Sequence, residues 1–255
     1  MRRRLVTLSG MTSKAEYLEF AGRGNILLVK SFVELHREEI DVSDTNGNTA
    51  LHWAAFKGHA DIVEYLLESG ASFDIRNTAE GQSPFLWACI NGDTRILHAF
   101  VTKAKGRVNL LLDDKDMRGY NSLQTVTMNG KLNAAFYLVQ QYREAGGDVK
   151  SYLDATDKKG HTALAWSAFK GYHQITQLLT RFGADLDQQD VNGFGAIHWA
   201  AQKGHDEVIH TLLENGANLH LLDTQNRTPR ELAAAKNHIA VTTALTNAEK
   251  FPKTR

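Results

Sequence analysis

The sequence is short of several things. It has one cysteine, Cys89, in 255 residues. That excludes an intramolecular disulfide and a cysteine-based zinc cluster, and it fits a reducing compartment. It has three prolines and no long polar tract, so little of it is expected to be disordered. Lys and Arg total 29 and so do Asp and Glu. This balance gives no whole-chain signal for nucleic acid or an anionic membrane. No apolar run approaches the length that spans a bilayer. The basic start "MRRRLVTLSG" has too short an apolar part for a signal peptide. There is no P-loop, no G-x-G-x-x-G after a strand, no H-E-x-x-H and no G-x-S-x-G. The expectations are a non-enzymatic chain without cofactor or metal, cytosolic or the cytosolic piece of something larger.

What the sequence does have is repetition. "GNTALHWAAFKGH" at Gly47 returns as "GQSPFLWACINGD" at Gly81, "GYNSLQTVTMNGK" at Gly119, "GHTALAWSAFKGY" at Gly160 and "GFGAIHWAAQKGH" at Gly193. A degenerate copy, "NRTPRELAAAKNH", begins at Asn226. The segments "IVEYLLESGA", "ITQLLTRFGA" and "VIHTLLENGA" follow three of the copies. They supply a second helix that stops at Gly70, Gly183 and Gly216. A period near 33 with this pattern resembles the ankyrin repeat, a β-turn and two antiparallel helices. The resemblance implies an all-α ankyrin-repeat solenoid with β-turn hairpin tips.

The recurring positions have physical reasons. Asp44, Asp116, Asp157, Asp190 and Asp223 precede the turn glycine, or Asn226, by three residues, where a short carboxylate bonds its own turn backbone. Thr49, Ser83, Ser122, Thr162 and Thr228 stand at the expected helix N-caps. Leu51, Ala54 and Ala55 form one apolar stripe at i, i+3 and i+4. His52 and His198 are expected to tie adjacent turns. His59 and His205 are also read as structural, and Cys89 as a buried small residue.

The organisation expected is a tail at 1–12, a capping helix pair at 13–43, five repeats at 44–225, a capping repeat at 226–247 and a tail at 248–255. Polar terminal repeats meet water. Two longer spacings mark insertions around "TKAKGRVNLL" and "QQYREAGGDVK". Both are expected to be loops after a second helix.

All four tryptophans, Trp53, Trp87, Trp166 and Trp199, share one repeat position. At about 100° per residue, that position falls opposite the packed stripe, which in an ankyrin stack lines the concave groove. Lys57, Asn91, Lys170 and Lys203 follow at i+4. Two indole pairs, Trp53/Trp87 and Trp166/Trp199, are expected with a gap at Thr125. Such aromatics with polar neighbours either fill space under lysine stems or form interface hot spots. These eight residues are the candidate peptide-binding groove. The partner expected is a protein, through an extended unstructured segment, and the chain is expected to be a monomer.

A narrower resemblance rests on the order of the middle repeats. "DMRGYNSLQTVTMNGKLNAAFYLVQQ" is followed by "GHTALAWSAFKGY", "GFGAIHWAAQKGH" and "NRTPRELA". Gly119, Tyr120, Asn121, Gly160, His161, Thr162, Leu164, Trp166, His198 and Trp199 carry it. The order is similar to the ankyrin region of the membrane-bound DHHC-type protein S-acyltransferases. The resemblance implies docking of substrate proteins for palmitoylation, with Trp87 at the docking position of the animal members. Those members have an asparagine on the groove side one repeat earlier, where this sequence has Lys57. The Asp-His-His-Cys motif, the cysteine-rich segment and the membrane helices are absent from the sequence. On this reading the chain is either the ankyrin portion of such an enzyme or a free-standing relative. A structural spacer is the remaining alternative.

Overall fold

The computed structural model describes residues 13–250, so the tail expected at 1–12 lies outside the described residues. The chain divides into two compact units, at residues 1–105 and 106–255. The described residues are mostly helical, and their only β-bridge is an isolated one, Ser43 with Thr49. The all-α fold is as expected.

The first unit consists of three helix pairs: α1 (Lys14–Arg23) with α2 (Ile26–Leu35), α3 (Ala50–Lys57) with α4 (Ala60–Ser69), and α5 (Pro84–Asn91) with α6 (Thr94–Ala104). The helices of each pair pack on one another. The first helices pack in the order α1, α3, α5 and the second helices in the order α2, α4, α6. Buried Leu51, Ala54 and Ala55 of α3 form the stripe read from the sequence. Ile62, Val63 and Leu66 supply the packed face of α4. Cys89 is fully buried on α5, in the place of the second alanine.

The second unit contains α7 (Val108–Leu112), α8 (Ser122–Met128), α9 (Leu132–Glu144), α10 (Val149–Leu153), α11 (Ala163–Lys170), α12 (His173–Phe182), α13 (Ala196–Lys203), α14 (Asp206–Glu214), α15 (Pro229–Ala235) and α16 (Ile239–Lys250). Here α8, α11, α13 and α15 pack in sequence, as do α9, α12, α14 and α16. The helix α16 runs through Lys250, so residues 248–250, assigned to the tail, are helical.

Turn chemistry repeats with little variation. The Asp44 carboxylate accepts from the backbone N–H groups of Asn46 and Asn48 at 2.8 and 2.9 Å. Asp116, Asp157, Asp190 and Asp223 do the same two and four residues on. In the second repeat Asn77 takes this place. Within each unit a tip also receives a bond from the next one, as Thr78 N–H donates to Asn46 O and Val191 N–H to Lys159 O. Gly193 has φ +75, and a Cβ there would lie 2.7 Å from Thr224 N. Left-handed geometry and close backbone approach both demand glycine there. Asn226 holds the same place in the last turn at φ 58, in the region that asparagine tolerates better than most residues.

Two expectations need correction. Ser122 is not an N-cap: Asn121 caps α8 by accepting from Gln124 N–H. Ser122 is the first helical residue, buried, and its hydroxyl donates to Leu112 O at 2.6 Å. The insertions are also largely helical rather than loops. They complete α6, lengthen α9 and form the short helices α7 and α10. The reason is apolar content: Leu111, Leu112, Tyr152 and Leu153 are buried. Tyr142 stacks on Tyr152 with ring centroids 4.2 Å apart and planes 3° apart. Its hydroxyl donates to Asp113 Oδ2 at 2.8 Å.

Candidate functional site

The tryptophan position sits on the first helix of a repeat, two residues past the apolar anchor of the stripe. All four indoles are half-buried. Three of the four indole N–H groups are anchored within their own repeat. Trp166 donates to Asp157 Oδ2 at 3.2 Å and Trp199 to Asp190 Oδ2 at 3.1 Å. Trp87 donates to Gln82 Oε1 at 2.9 Å, and the Trp53 indole bears on the Asp44 carboxylate. The turn carboxylate therefore orders both its own tip and the indole above it. Burial pushes the Asp44 carboxyl up, but bonds from Asn48, Asn46 and Trp53 outweigh it and leave the group below its usual value. Asp157 is likewise lowered, against burial, chiefly by its hydrogen bond with the His161 side chain.

In the first unit the pair is closed. Trp53 and Trp87 meet edge to face at 5.3 Å and 83°. Trp87 is also packed by His52 at 5.3 Å and Phe56 at 5.4 Å. A cleft of about 660 Å³ opens beside Trp53, toward α1, with Leu18, Glu19, Arg23, Asp44 and Lys57 among its walls. Its rim mixes both charges.

In the second unit the pair is open. No direct stacking joins Trp166 and Trp199; His161 stands 5.0 Å from one ring and 5.8 Å from the other. Phe169 contacts both, at 5.6 and 5.3 Å. The cleft that results has a volume of about 190 Å³ and is lined by Lys159, His161, Ala165, Trp166, Phe169, Asn192 and Trp199. His161 is held at both ring nitrogens: Nδ1 lies 2.8 Å from Asp157 Oδ2 and Nε2 3.3 Å from Asp190 Oδ2. Phe194 packs on Trp199 at 4.9 Å, and Tyr120 on Trp166 at 5.8 Å.

The i+4 residues divide. Lys57, Lys170 and Lys203 are exposed, and their ammonium groups lie near phenylalanines: Lys57 by Phe56 at 5.2 Å, Lys170 and Lys203 by Phe169 at 5.9 and 4.5 Å. Asn91 is different. Its Nδ2 donates to Phe56 O at 3.1 Å and its Oδ1 accepts from Asp93 N–H. It closes the end of α3, the task that His59 performs on Gly22 O and His205 on Phe169 O. Thr125 is buried, and its hydroxyl donates to Asn121 O at 2.8 Å. The residues missed in the sequence are Phe56, Phe169 and His161. The phenylalanines share the text "AFKG", three residues past a tryptophan, and that was the available signal.

The histidines of the stripe are structural, as expected. His52 Nδ1 accepts from Thr49 N–H at 3.1 Å, and Nε2 donates to Gln82 O at 3.1 Å. Burial lowers its pKa from 6.5 to about 4, so the ring is neutral in this role. Burial lowers His198 as well, and it bridges Gly195 N–H and Arg227 O. In α8 the same bridge is made by Gln124, to Asn121 N–H and to Ala155 and His161 carbonyls. Among the described residues no cluster of His, Cys, Asp and Glu could hold a metal ion, and no helix is long and apolar enough to cross a membrane.

A family model described as ankyrin repeats, in three copies, matches residues 18–109, 85–190, 142–223 and 174–254. The chain is 32% identical over 154 residues to palmitoyltransferase AKR1 of Debaryomyces hansenii, covering 58% of this chain and 18% of that protein. It is 44% identical over 68 residues to palmitoyltransferase ZDHHC13 of Mus musculus, covering 27% of this chain and 11% of that one. It thus spans less than a fifth of the length of these relatives. Among solved structures, the ankyrin repeat domain of Bcl-3 aligns with a TM-score of 0.72 at 25% identity, covering 89% of this chain and 97% of that one. The human ASB11 ankyrin repeat domain aligns with a TM-score of 0.74 at 22% identity, covering 92% and 98%.

Proposed function

The chain belongs to the ankyrin-repeat family, and from that premise we propose that it is a non-catalytic protein-binding module. It binds an extended, unstructured segment of its partner on the tryptophan-bearing face of the first helices. The observation that carries the reading is that four indoles, in four copies, occupy one position and remain half-exposed while the N–H groups of Trp87, Trp166 and Trp199 are already satisfied by the protein. Each presents apolar ring surface in a fixed orientation, which is what a hot-spot aromatic needs.

The likeness to AKR1 and ZDHHC13 palmitoyltransferases supports a finer reading. The bound segment belongs to proteins destined for palmitoylation, and this chain is either the ankyrin portion of such an enzyme or a free-standing relative that recruits for one. The working compartment is then the cytoplasm or the cytosolic face of an internal membrane, and the module acts as a monomer. The Trp53/Trp87 pair is the principal contact, since Trp87 matches the docking position of the animal members.

Peptide-display selection on the purified chain, with and without Trp87→Ala, tests the reading. The main class of enriched sequences should lose at least about thirtyfold in affinity on Trp87→Ala, as truncating a hot-spot aromatic costs about 2 kcal/mol or more. A chain that enriches no peptide at micromolar affinity is a structural spacer.

A further inference from the structure

The second tryptophan pair encloses a space that the first does not. His161 and Phe169 hold Trp166 and Trp199 apart, leaving the cleft of about 190 Å³. That volume admits one aliphatic side chain and little more. Ala165 and four rings form its interior, exposed Asn192 adds an amide at the rim, and the polar atoms of the rings are already used. The Trp166 and Trp199 N–H groups are donated to Asp157 and Asp190, and both nitrogens of His161 face the same two carboxylates. Those carboxylates are buried and each accepts two backbone N–H groups besides. The interior therefore selects for apolar matter.

The rim selects for charge. Lys159 lines the cleft and Lys203 lies 4.5 Å above Phe169, both exposed. No exposed carboxylate lines the opening. The cleft beside Trp53 differs, with Glu19 set among its basic groups.

We infer that the cleft between Trp166 and Trp199 is a separate anchor subsite for a protein segment in which one aliphatic side chain is flanked by Asp or Glu. The aliphatic group enters between the indoles, and the flanking carboxylates meet Lys159 and Lys203. Charge complementarity fixes the occupant: a basic segment would meet only like charge at the rim. The inference rests on the peptide-binding reading above and assigns it a second site with its own ligand chemistry.

The experiment uses the full chain. Twelve-residue peptides are selected from a random display library and titrated into ¹⁵N-labelled protein. The four indole N–H signals are assigned by single Trp→Phe substitutions. One class of enriched peptides should carry an aliphatic residue beside Asp or Glu and shift the Trp166 and Trp199 signals. The double variant Lys159→Glu with Lys203→Glu alters only exposed side chains, and its helical content is checked by circular dichroism. It should weaken that class at least about tenfold. Peptides that shift only Trp53 and Trp87 would overturn this subsite and leave the peptide-binding reading standing. Peptides that enter the cleft yet bind the double variant equally well or better would overturn the acidic assignment. A library that yields no binder would defeat both readings.

Discussion

Around the indoles the two tryptophan pairs differ at the residue before the first tryptophan, His52 against Ala165, and at the residue that follows each turn glycine. In the first unit it is Asn48, whose amide turns down to Asp44 Oδ2 at 2.9 Å, and Gln82, which takes the Trp87 N–H. Neither puts a ring between the indoles, and they meet edge to face. In the second unit it is His161 and Phe194, which pack against the indoles. The repeated tryptophan supplies apolar surface, and the variable residue beneath it decides whether that surface closes on itself or opens into a cleft. Repeats built on a constant scaffold can thus diversify binding through a turn position that lies outside the helices.

The comparison can be broken most forcefully at the turns. Gly193→Ala brings a Cβ to 2.7 Å from Thr224 N, whereas at Gly47 the nearest atom, Asn77 Cα, is 3.2 Å away. Both residues have positive φ. Gly193→Ala should cost about 2–3 kcal/mol and Gly47→Ala about 1–2 kcal/mol. Urea unfolding midpoints check the order; equal losses would mean the tips relax freely.

Acid comes next. His52 is neutral when folded, with its pKa lowered from 6.5 to about 4. The unfolded chain therefore binds more protons in that window. The stability this group contributes is complete above pH 6.5 and is lost as pH falls toward 4. Between pH 7 and about pH 5 the loss from His52 should approach about 2 kcal/mol. His52→Gln, which introduces the side chain that Gln124 provides in α8, should keep the bridge and flatten that part of the profile. A profile unchanged by His52→Gln would show that the ring is not the titrating group.

A smaller effect sharpens the comparison directly. His161→Asn gives the second pair the residue that Asn48 provides in the first. It should let Trp166 and Trp199 approach, change the near-ultraviolet circular dichroism, and weaken cleft-bound peptides about tenfold without affecting those that depend on Trp87. The smallest concerns Thr127, whose buried hydroxyl has no hydrogen-bond partner, at the place of Ala55 and Ala201. Thr127→Val should stabilise the protein by about 1 kcal/mol, read from its unfolding midpoint. Amide exchange should also be fastest in this repeat among the internal ones, and protection uniform across them would count against it.

Much of this was legible in the sequence because repetition isolates each position's task. The Asx turns, the caps at Thr49, Ser83, Thr162 and Thr228, the histidine bridges and the buried Cys89 follow from local chemistry. Ser122 misled because Asn121, one residue earlier, is an equally good cap, and tertiary partners Leu112 and Tyr152 claim the serine hydroxyl. The helical insertions were missed because a five-residue helix has too few turns to show periodicity; burial of Tyr152 and Leu153, not propensity, forms it. Spacing placed the tryptophans on one face, but not the contacts between them. Those depend on His161 and Phe169, one before the helix and one a turn further on, which a reading along one helical stripe does not bring together. Asn91 occupied the right position by spacing and was claimed by Phe56 O.

The central claim is that the indoles bind a partner rather than merely pack, and Trp87 tests it most directly. Isothermal titration of a selected peptide that shifts the Trp53 and Trp87 signals into the parent chain and into Trp87→Ala, with circular dichroism on both, decides it. The account predicts at least about thirtyfold weaker binding with helical content nearly unchanged, and a lesser loss for Trp199→Ala. Parent-like binding by Trp87→Ala, or its unfolding, would contradict the account and make the tryptophans packing residues.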